Sequence, residues 1–385
     1  MPRLLYLLNV SNPNRLSADS GFTFADLLAP ALTDAGAEVT VAAPVATGDP
    51  RVGFEPTRAP ATKYRARFDP GLDGLADLIR RTRPEVVVAN QIEAAPAIRA
   101  ALLEAGTDAL IAGYCHYLPF SFADDGRLVP DPSLDDGGLG RSVMLAFSAG
   151  LAACDRVLVH SSTAASWTMA AAARMSVELT EKMHVVPAPR DGRLVRDPAD
   201  VAAPDGTAHA VYNHRLYAHY GTPAFTDLAR RLVAEAPVQL TVMDLFGTRS
   251  PERVRLDPSP EHHRDELAAL DGVTIATDRG DRVRYRNLLA GAHFGIAPFR
   301  PGCPWSMSVI DCQGMGLPVI APRTGWLAEH IDDELLFTSA DQAVAIATRL
   351  ATDGEFYRVH AKRAHAATAD LTPAAVAARY LEALR

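Results

Sequence analysis

The sequence predicts an α/β protein made of two doubly wound parallel sheets facing a central cleft. Three observations predict it. The chain has 385 residues, too many for one ordinary core and about right for two domains of ~150–200 residues. Short apolar runs alternate with longer amphipathic segments almost throughout, which is the β-α-β-α grammar of a parallel sheet covered on both faces. One stretch, residues 187–208 (PAPRDGRLVRDPADVAAPDGTA), is rich in Pro, Asp and Gly, carries no periodicity and interrupts that grammar before it restarts.

Residues 3–10 form the first buried strand. The run is too short for a signal peptide, enters Asn9, and is followed by no small-residue cleavage site. Residues 21–36 form a helix with Phe24, Leu27, Leu28 and Leu32 on one face and Gly36 as its stop; Pro30 predicts an irregularity within it. Then follow strand Glu38–Ala43, helix Leu72–Arg83, strand Glu85–Ala89, helix Ala94–Ala105 and strand Ala109–Tyr114. Helix Gly140–Ala153, strand Arg156–His160, a helix from about Ser162 and strand His184–Pro187 complete the first half. The second half reads as strand His209–Asn213, helix Phe225–Glu235, strand Val238–Met243, helix Glu261–Leu270, strand Val273–Ala276, helix Val283–Ala290 and strand Phe294–Ala297. Residues 302–330 follow as a loop, an acid-bearing helix, a Gly-Leu-Pro turn, an apolar strand and a second Gly turn. The end is helical, Gln342–Thr352 and then from about Glu355 to Arg385 with a break near Thr372–Pro373. There is no low-complexity segment and no repeat of 20–50 residues.

A formal net charge of −8 argues against nucleic acid as the main partner, since such binding needs a basic face. No stretch reaches ~18 apolar residues, so no membrane span is expected. The four cysteines, Cys115, Cys154, Cys303 and Cys312, show no CxxC pair or framework spacing, which points to a reducing cytoplasm.

Four places could carry chemistry. In residues 302–330, Asp311 sits early in a helix, where its carboxylate either accepts hydrogen bonds from ribose hydroxyls or complements the helix dipole. Ser306, Met307 and Ser308 offer backbone N–H groups to a phosphate, or Ser306 is a plain N-cap. In NHRLYAHYGT (213–222), Arg215 suits a phosphate because its guanidinium donates two parallel hydrogen bonds, and His214 or His219 could add a pH-dependent charge. In GYCHYLPFSF (113–122), His116 emerges at the carboxyl end of a strand, surrounded by Tyr114, Tyr117, Phe120 and Phe122; such a cluster either packs the core or stacks a flat acceptor. Gly21, with Ser20 and the start of the first helix, could approach a diphosphate or an acceptor. Residues 123–138 carry Asp124, Asp125, Asp131, Asp135 and Asp136 and no periodicity, reading as a mobile loop over the acceptor or a solvated insertion.

The order SVIDCQGMGLPVIAPRTGWLAE resembles the donor-binding signature of family 4 glycosyltransferases, ending in Glu329. SGFTFADLLAPALTDAGAEVTVAAP, RPEVVVANQ, ACDRVLVHSS and KMHVVPAP resemble further segments of that family in the same order. The resemblance implies the GT-B fold, with two Rossmann-like domains: residues 1–195 for the acceptor, a linker at 196–208, residues 209–360 for the nucleotide-sugar donor, and a helix at 361–385 that can cross back to the first domain. It implies donor contacts at Arg215, His219, Tyr220, Cys303, Pro304, Trp305, Ser306, Met307, Ser308 and Asp311, acceptor contacts at Gly21, Tyr114, Tyr117 and Phe120, and catalytic roles for His116 and Arg215. It implies no cofactor, the nucleotide sugar being a co-substrate, and it implies a UDP-linked one.

Two departures stand out. The family's paired glutamates fall on Cys303 and Asp311, so the first carboxylate is lost. The family's diphosphate Lys falls on Tyr220, so one permanent cation is lost. No Asp-x-Asp occurs, in keeping with metal-independent transfer. The expected activity is retaining transfer of a sugar from a UDP-sugar to a hydroxyl of a small acceptor, such as a nucleoside or an aromatic natural product. The alternatives are transfer to a tRNA nucleoside and a degenerate sugar-nucleotide binder; a dinucleotide oxidoreductase ranks last because no G-x-G-x-x-G follows the first strand. The sequence leaves the sugar and the oligomeric state open.

Overall fold

The computed structural model describes residues 1–10, 16, 19–60, 62–69, 74–122, 125–245, 254–255, 257–300 and 302–385. Asp124 and the Asp136 side chain of the acidic stretch lie outside the described part. The chain divides into two compact units, Met1–Pro189 with Pro373–Arg385, and Arg190–Thr372.

In the first unit the strands are β1 (Arg3–Leu7), β2 (Glu38–Ala43), β3 (Gly53–Pro56), β4 (Val86–Ala89) and β5 (Leu110–Tyr114), then an antiparallel ribbon of β6 (Phe120–Phe122) and β7 (Leu128–Pro130), then β8 (Arg156–Val159) and β9 (Met183–Val185). Seven of them form a parallel sheet in the order β3-β2-β1-β4-β5-β8-β9. Strand β4 (VVVA) is buried at every residue, as a β-branched run covered on both faces must be. The helix Ser20–Asp34 opens on Asp19, whose carboxylate accepts from Phe22 N at 2.9 Å. It runs unbroken through Pro30, against expectation, and buries Phe24, Leu28 and Leu32 at four-residue spacing.

The last helix, Pro373–Ala383, belongs to this first unit and packs on Ser20–Asp34. It brings the fully buried Tyr380 ring 5.9 Å from Tyr114, 9° from parallel. Its start follows from Pro373: the residue before a proline is driven out of helical geometry, and Thr372 is extended.

In the second unit, β10 (Ala208–Tyr212), β11 (Val238–Met243), β12 (Val273–Ala276), β13 (Phe294–Ile296), β14 (Val319–Pro322) and β15 (Leu336–Phe337) form a parallel sheet in the order β12-β11-β10-β13-β14-β15. The chain therefore leaves β10 in one direction and returns on its other side at β13, so the loops after these two strands flank a topological switch point, where ligands of open α/β sheets bind.

Two segments expected to be irregular are built into the fold. Residues 196–208, expected as the interdomain linker, lie within the second unit: Arg196 N donates to Gly314 O at 3.0 Å, and its guanidinium donates to Ala290 O at 3.0 Å. A Cβ on Gly314 would come within 2.5 Å of Leu194 O, so the glycine lets this segment lie on the helix. Composition marked the segment as irregular but held no trace of these contacts. Residues 123–138 were expected to be a mobile loop or a solvated insertion; the described part, from 125, contains β7 and two short 3-10 turns, and Asp135 accepts from Gly140 N at 2.8 Å to start the helix Gly140–Ala153.

Candidate functional site

Chain direction places three residues directly after β10: Asn213, His214 and Arg215. Asn213 is buried, and its amide donates to the Tyr285 hydroxyl at 2.8 Å and to Ser308 O at 3.2 Å. Tyr285 in turn donates to Asp311 Oδ2 at 3.0 Å. Arg282 lies over the Tyr285 ring at 4.6 Å, meets both Asp311 oxygens at 3.3 and 3.4 Å, and donates from Nε to Asp191 at 2.9 Å. Arg193 closes the far end with two bonds of 2.9 Å to Asp191.

Burial pushes the Asp311 carboxyl above its ordinary range against the pull of Arg282. Asp191 also feels burial, but the hydrogen bonds from Arg193 and Arg282 outweigh it and hold the group below its ordinary range. Asp311, expected to face a ribose, is 3% exposed and already shared between Tyr285 and Arg282. In this conformation its carboxylate organises a buried network.

The loops after β10 and β13 touch at Gly221. This residue has φ 77°, and a Cβ there would meet Phe299 O at 2.5 Å. Only glycine meets both demands. The contact brings Arg300 over the ring of Tyr220, with the guanidinium carbon 5.5 Å from the ring centroid, within cation–π range. His219 packs between Tyr217 and Tyr220, with centroids at 5.2 and 4.8 Å. Cys303 is buried and its Sγ donates to Trp305 O at 3.3 Å. Burial pushes this thiol up to about 11 while Arg300's charge pulls the other way, so at neutral pH it is a neutral thiol.

The helix Met307–Gly314 begins at Ser306, but the Ser306 hydroxyl makes no cap; it meets Ser308 Oγ at 3.0 Å. Ser308 Oγ lies 2.6 Å from His214 Nε2. Burial, with Arg215 adjoining, lowers His214 to about 3, so this histidine is neutral at physiological pH and supplies none of the charge expected of it. Pro304 is buried, whereas Arg215, Trp305 and Met307 are half-buried around the same turn.

In the first unit, His116 stands after β5 as expected, half-buried. Its ring stacks on Tyr114 at 4.3 Å and meets the edge of Phe24 at 4.6 Å. His116 Nδ1 lies 3.0 Å from Nε2 of His160, the residue that follows β8. Two proposed acceptor contacts are corrected. Tyr114 is 1% exposed, held between His116 and Tyr380, and Phe120 is 2% exposed and packed on Phe122 and Phe147. Both are core, with no face left to stack on a ligand. Tyr117 is half-buried, its hydroxyl 3.2 Å from Ser133 Oγ and its ring under Arg67. Gly21 sits in the first turn of its helix, but Asp19 already occupies the Phe22 N–H that an anion would use.

Among the described residues, Asp332, Glu334 and His360 have ligand atoms close enough for a metal ion. Arg363 stands 2.8 Å from Asp332 and 3.3 Å from Glu334, and Arg349 stands 3.6 Å from Glu334, so both carboxylates already have cationic partners. The residues that sequence reasoning missed are Arg282, Tyr285, Arg300 and His160. Only His160 carried a local signal: it ends a buried strand, the same rule that singled out His116.

No protein-family model matches the chain, and no curated protein matches it in sequence. Solved structures match over nearly its whole length. Anabaena HepE in complex with UDP and glucose superposes with a TM-score of 0.71 at 12% identity, covering 99% of both chains. Sucrose-phosphate synthase from Thermosynechococcus elongatus gives 0.74 at 16% identity, covering 99% of this chain and 98% of that one. A glycosyltransferase from Rickettsia africae gives 0.68 at 13%, covering 100% and 97%. The chain has the GT-B fold of these proteins, with two Rossmann-like units. No helix among the described residues is long and apolar enough to cross a membrane.

Proposed function

We propose that the protein is a glycosyltransferase that takes its sugar from a UDP-linked donor held by the second unit and delivers it to a hydroxyl of a small acceptor held by the first. The observation that carries this reading is the pair of loops at the β10/β13 switch point. They gather Arg215, Arg300, Ser306 and Ser308 at one end of a sheet whose fold is that of a structure in complex with UDP and glucose. Two guanidinium groups suit a diphosphate. They donate to its oxygens without needing a proton from solvent and can offset the charge that grows as the sugar–phosphate bond breaks.

On this reading transfer is metal-independent and proceeds with retention, and no side chain becomes covalently attached to the sugar. Catalysis comes from positioning and from electrostatic stabilisation of the leaving diphosphate. His116 receives or orients the acceptor hydroxyl. Tyr220 and Cys303, where the donor signature has Lys and Glu, are offset by Arg300, which supplies the charge that Tyr220 lacks. The free thiols and the chain's acidity fit a cytoplasmic enzyme with a small acceptor rather than a tRNA.

The test is a thermal-shift panel of UDP, UDP-glucose and other nucleotide sugars, followed by mass spectrometry of small acceptors incubated with the donor that stabilises most. Arg215→Ala should retain its fold and lose turnover; unchanged turnover in that variant sinks the assignment. The same two departures, Cys303 and Tyr220, favour a second reading, a nucleotide-sugar binder without transfer. Stabilisation by UDP with neither hydrolysis nor transfer would select it.

A further inference from the structure

The geometry points to His160 as a positioning residue that fixes the tautomer of His116 and leaves His116 Nε2 as a hydrogen-bond acceptor. The inference rests on the reading above, in which His116 meets the acceptor hydroxyl, and it names the residue that prepares His116 for that contact.

The chain of bonds starts at a group whose polarity cannot invert. Val186 O is a backbone carbonyl and can only accept, and its residue, next after β9, is held beside β8 by Val186 N donating to Val159 O at 2.8 Å. The Tyr114 hydroxyl donates its one proton to Val186 O. Towards His160 Nδ1, 3.3 Å away, that oxygen is therefore an acceptor, and His160 must carry its proton on Nδ1. A neutral imidazole has one N–H, so His160 Nε2 is a lone pair. It faces His116 Nδ1 at 3.0 Å and accepts a hydrogen bond from its N–H. His116 then bears its own proton on Nδ1, and Nε2 is the acceptor nitrogen. The opposite polarity would set the His160 Nδ1 lone pair against the Tyr114 oxygen.

Three further features make the arrangement rigid. His160 is 3% exposed. The His116 ring is clamped by Tyr114 on its face and Phe24 on its edge. Burial lowers both histidines, His116 to about 3, so each stays neutral and the single-proton count holds at physiological pH. The consequence is a directional wire from a sheet carbonyl to an imidazole lone pair, with His160 as its middle link.

Proton-coupled ¹⁵N spectra of the full-length protein labelled at histidine test this directly and need no substrate. The expected result is His116 protonated at Nδ1 and bare at Nε2. His160→Leu should mix or invert that tautomer. His160→Gln should keep it, because the Gln carbonyl can accept from His116 Nδ1. Tyr114→Phe, which removes a hydroxyl and leaves the ring, covers the case in which His160→Leu does not fold; it should also release the tautomer. A wild-type His116 protonated at Nε2, or a tautomer unchanged in both His160→Leu and Tyr114→Phe, overturns the proposal. A kinetic arm uses UDP-glucose hydrolysis: His160→Leu should lower kcat by roughly 10²-fold, the low end for a correctly placed acid–base group, with KM for UDP-glucose unchanged and His160→Gln recovering. Equal kcat in wild type and His160→Leu overturns the positioning role. A wild type that neither binds nor hydrolyses UDP-glucose counts against the glycosyltransferase reading and leaves the tautomer result to decide this one.

Discussion

The guanidinium of Arg300 rests 5.5 Å from the ring centroid of Tyr220, so the loop after β13 brings a permanent cation to a place where the loop after β10 has an aromatic ring. Cys303 lies within the field of the same guanidinium and answers it with a neutral thiol. A carboxylate at 303 would pair with Arg300 and cancel it. On the donor reading proposed above, the neutral thiol at 303 and the arginine over Tyr220 belong together: both keep the positive charge of Arg300 for the diphosphate, beside that of Arg215.

Arg300→Met should weaken UDP binding by about 10–100-fold, the ~1.5–3 kcal/mol of a charge-assisted hydrogen bond, while leaving uridine affinity unchanged. Cys303→Glu, which restores the acid of the donor signature, should weaken UDP binding in the same direction. Calorimetry with UDP, UMP and uridine checks both. Tighter UDP binding by Cys303→Glu would show that Arg300 does not serve the diphosphate.

Elements whose periodicity is local were legible in the sequence. The helix Gly140–Ala153 and the strands Val238–Met243 and Val273–Ala276 span the residues their patterns mark. The strands β3 and β15 were not, because one is an exposed edge ending in Pro56 and the other has only two residues. His116 was legible as the residue following an apolar strand. The Arg282–Asp311 and Arg282–Asp191 pairs were not, since they join residues 29 and 91 positions apart and depend on a fold that local pattern does not encode. Tyr114 and Phe120 were misjudged for the opposite reason: aromatic residues after a strand read alike whether they face a ligand or the core, and burial alone separates the two.

Arg282→Met should destabilise the protein by about 3–5 kcal/mol, because it leaves the buried Asp311 carboxylate without its cationic partner and takes from Asp191 one of its two, Arg193 remaining. Arg282→Met combined with Asp311→Asn should recover much of the loss, since the double variant removes the stranded charge. Denaturant unfolding of the two single variants and the double variant measures the coupling. Additive losses would mean that the pair contributes nothing beyond its separate parts.

Tyr380→Ala should cost about 3–5 kcal/mol, the range for removing a large buried aromatic side chain. The residue is fully buried and stacks on Tyr114, although it lies near the end of the chain. Removal of residues 373–385 should be worse, because it uncovers the helix Ser20–Asp34. Soluble expression and the melting temperature read both; a truncated protein as stable as the full chain would show that the last helix is dispensable.

Acid should unfold the protein in a window set by its buried histidines. His116 and His214 are lowered to about 3 and His330 to about 4, all by burial. The unfolded chain takes up protons on these residues near the ordinary histidine value of about 6.5, while the folded chain does not until pH 3–4. Between those limits the unfolded state binds more protons, so stability rises with pH; it is fully present above about 6.5 and is lost as pH falls towards 4. His214→Gln removes one such group and can keep a hydrogen bond to Ser308. Its melting temperature should therefore fall less steeply than that of the wild type between pH 6.5 and 4.5, with the two curves parallel above pH 7. Parallel curves throughout would mean that His214 is charged in the folded protein, and with it would go the neutral imidazole beside Ser308.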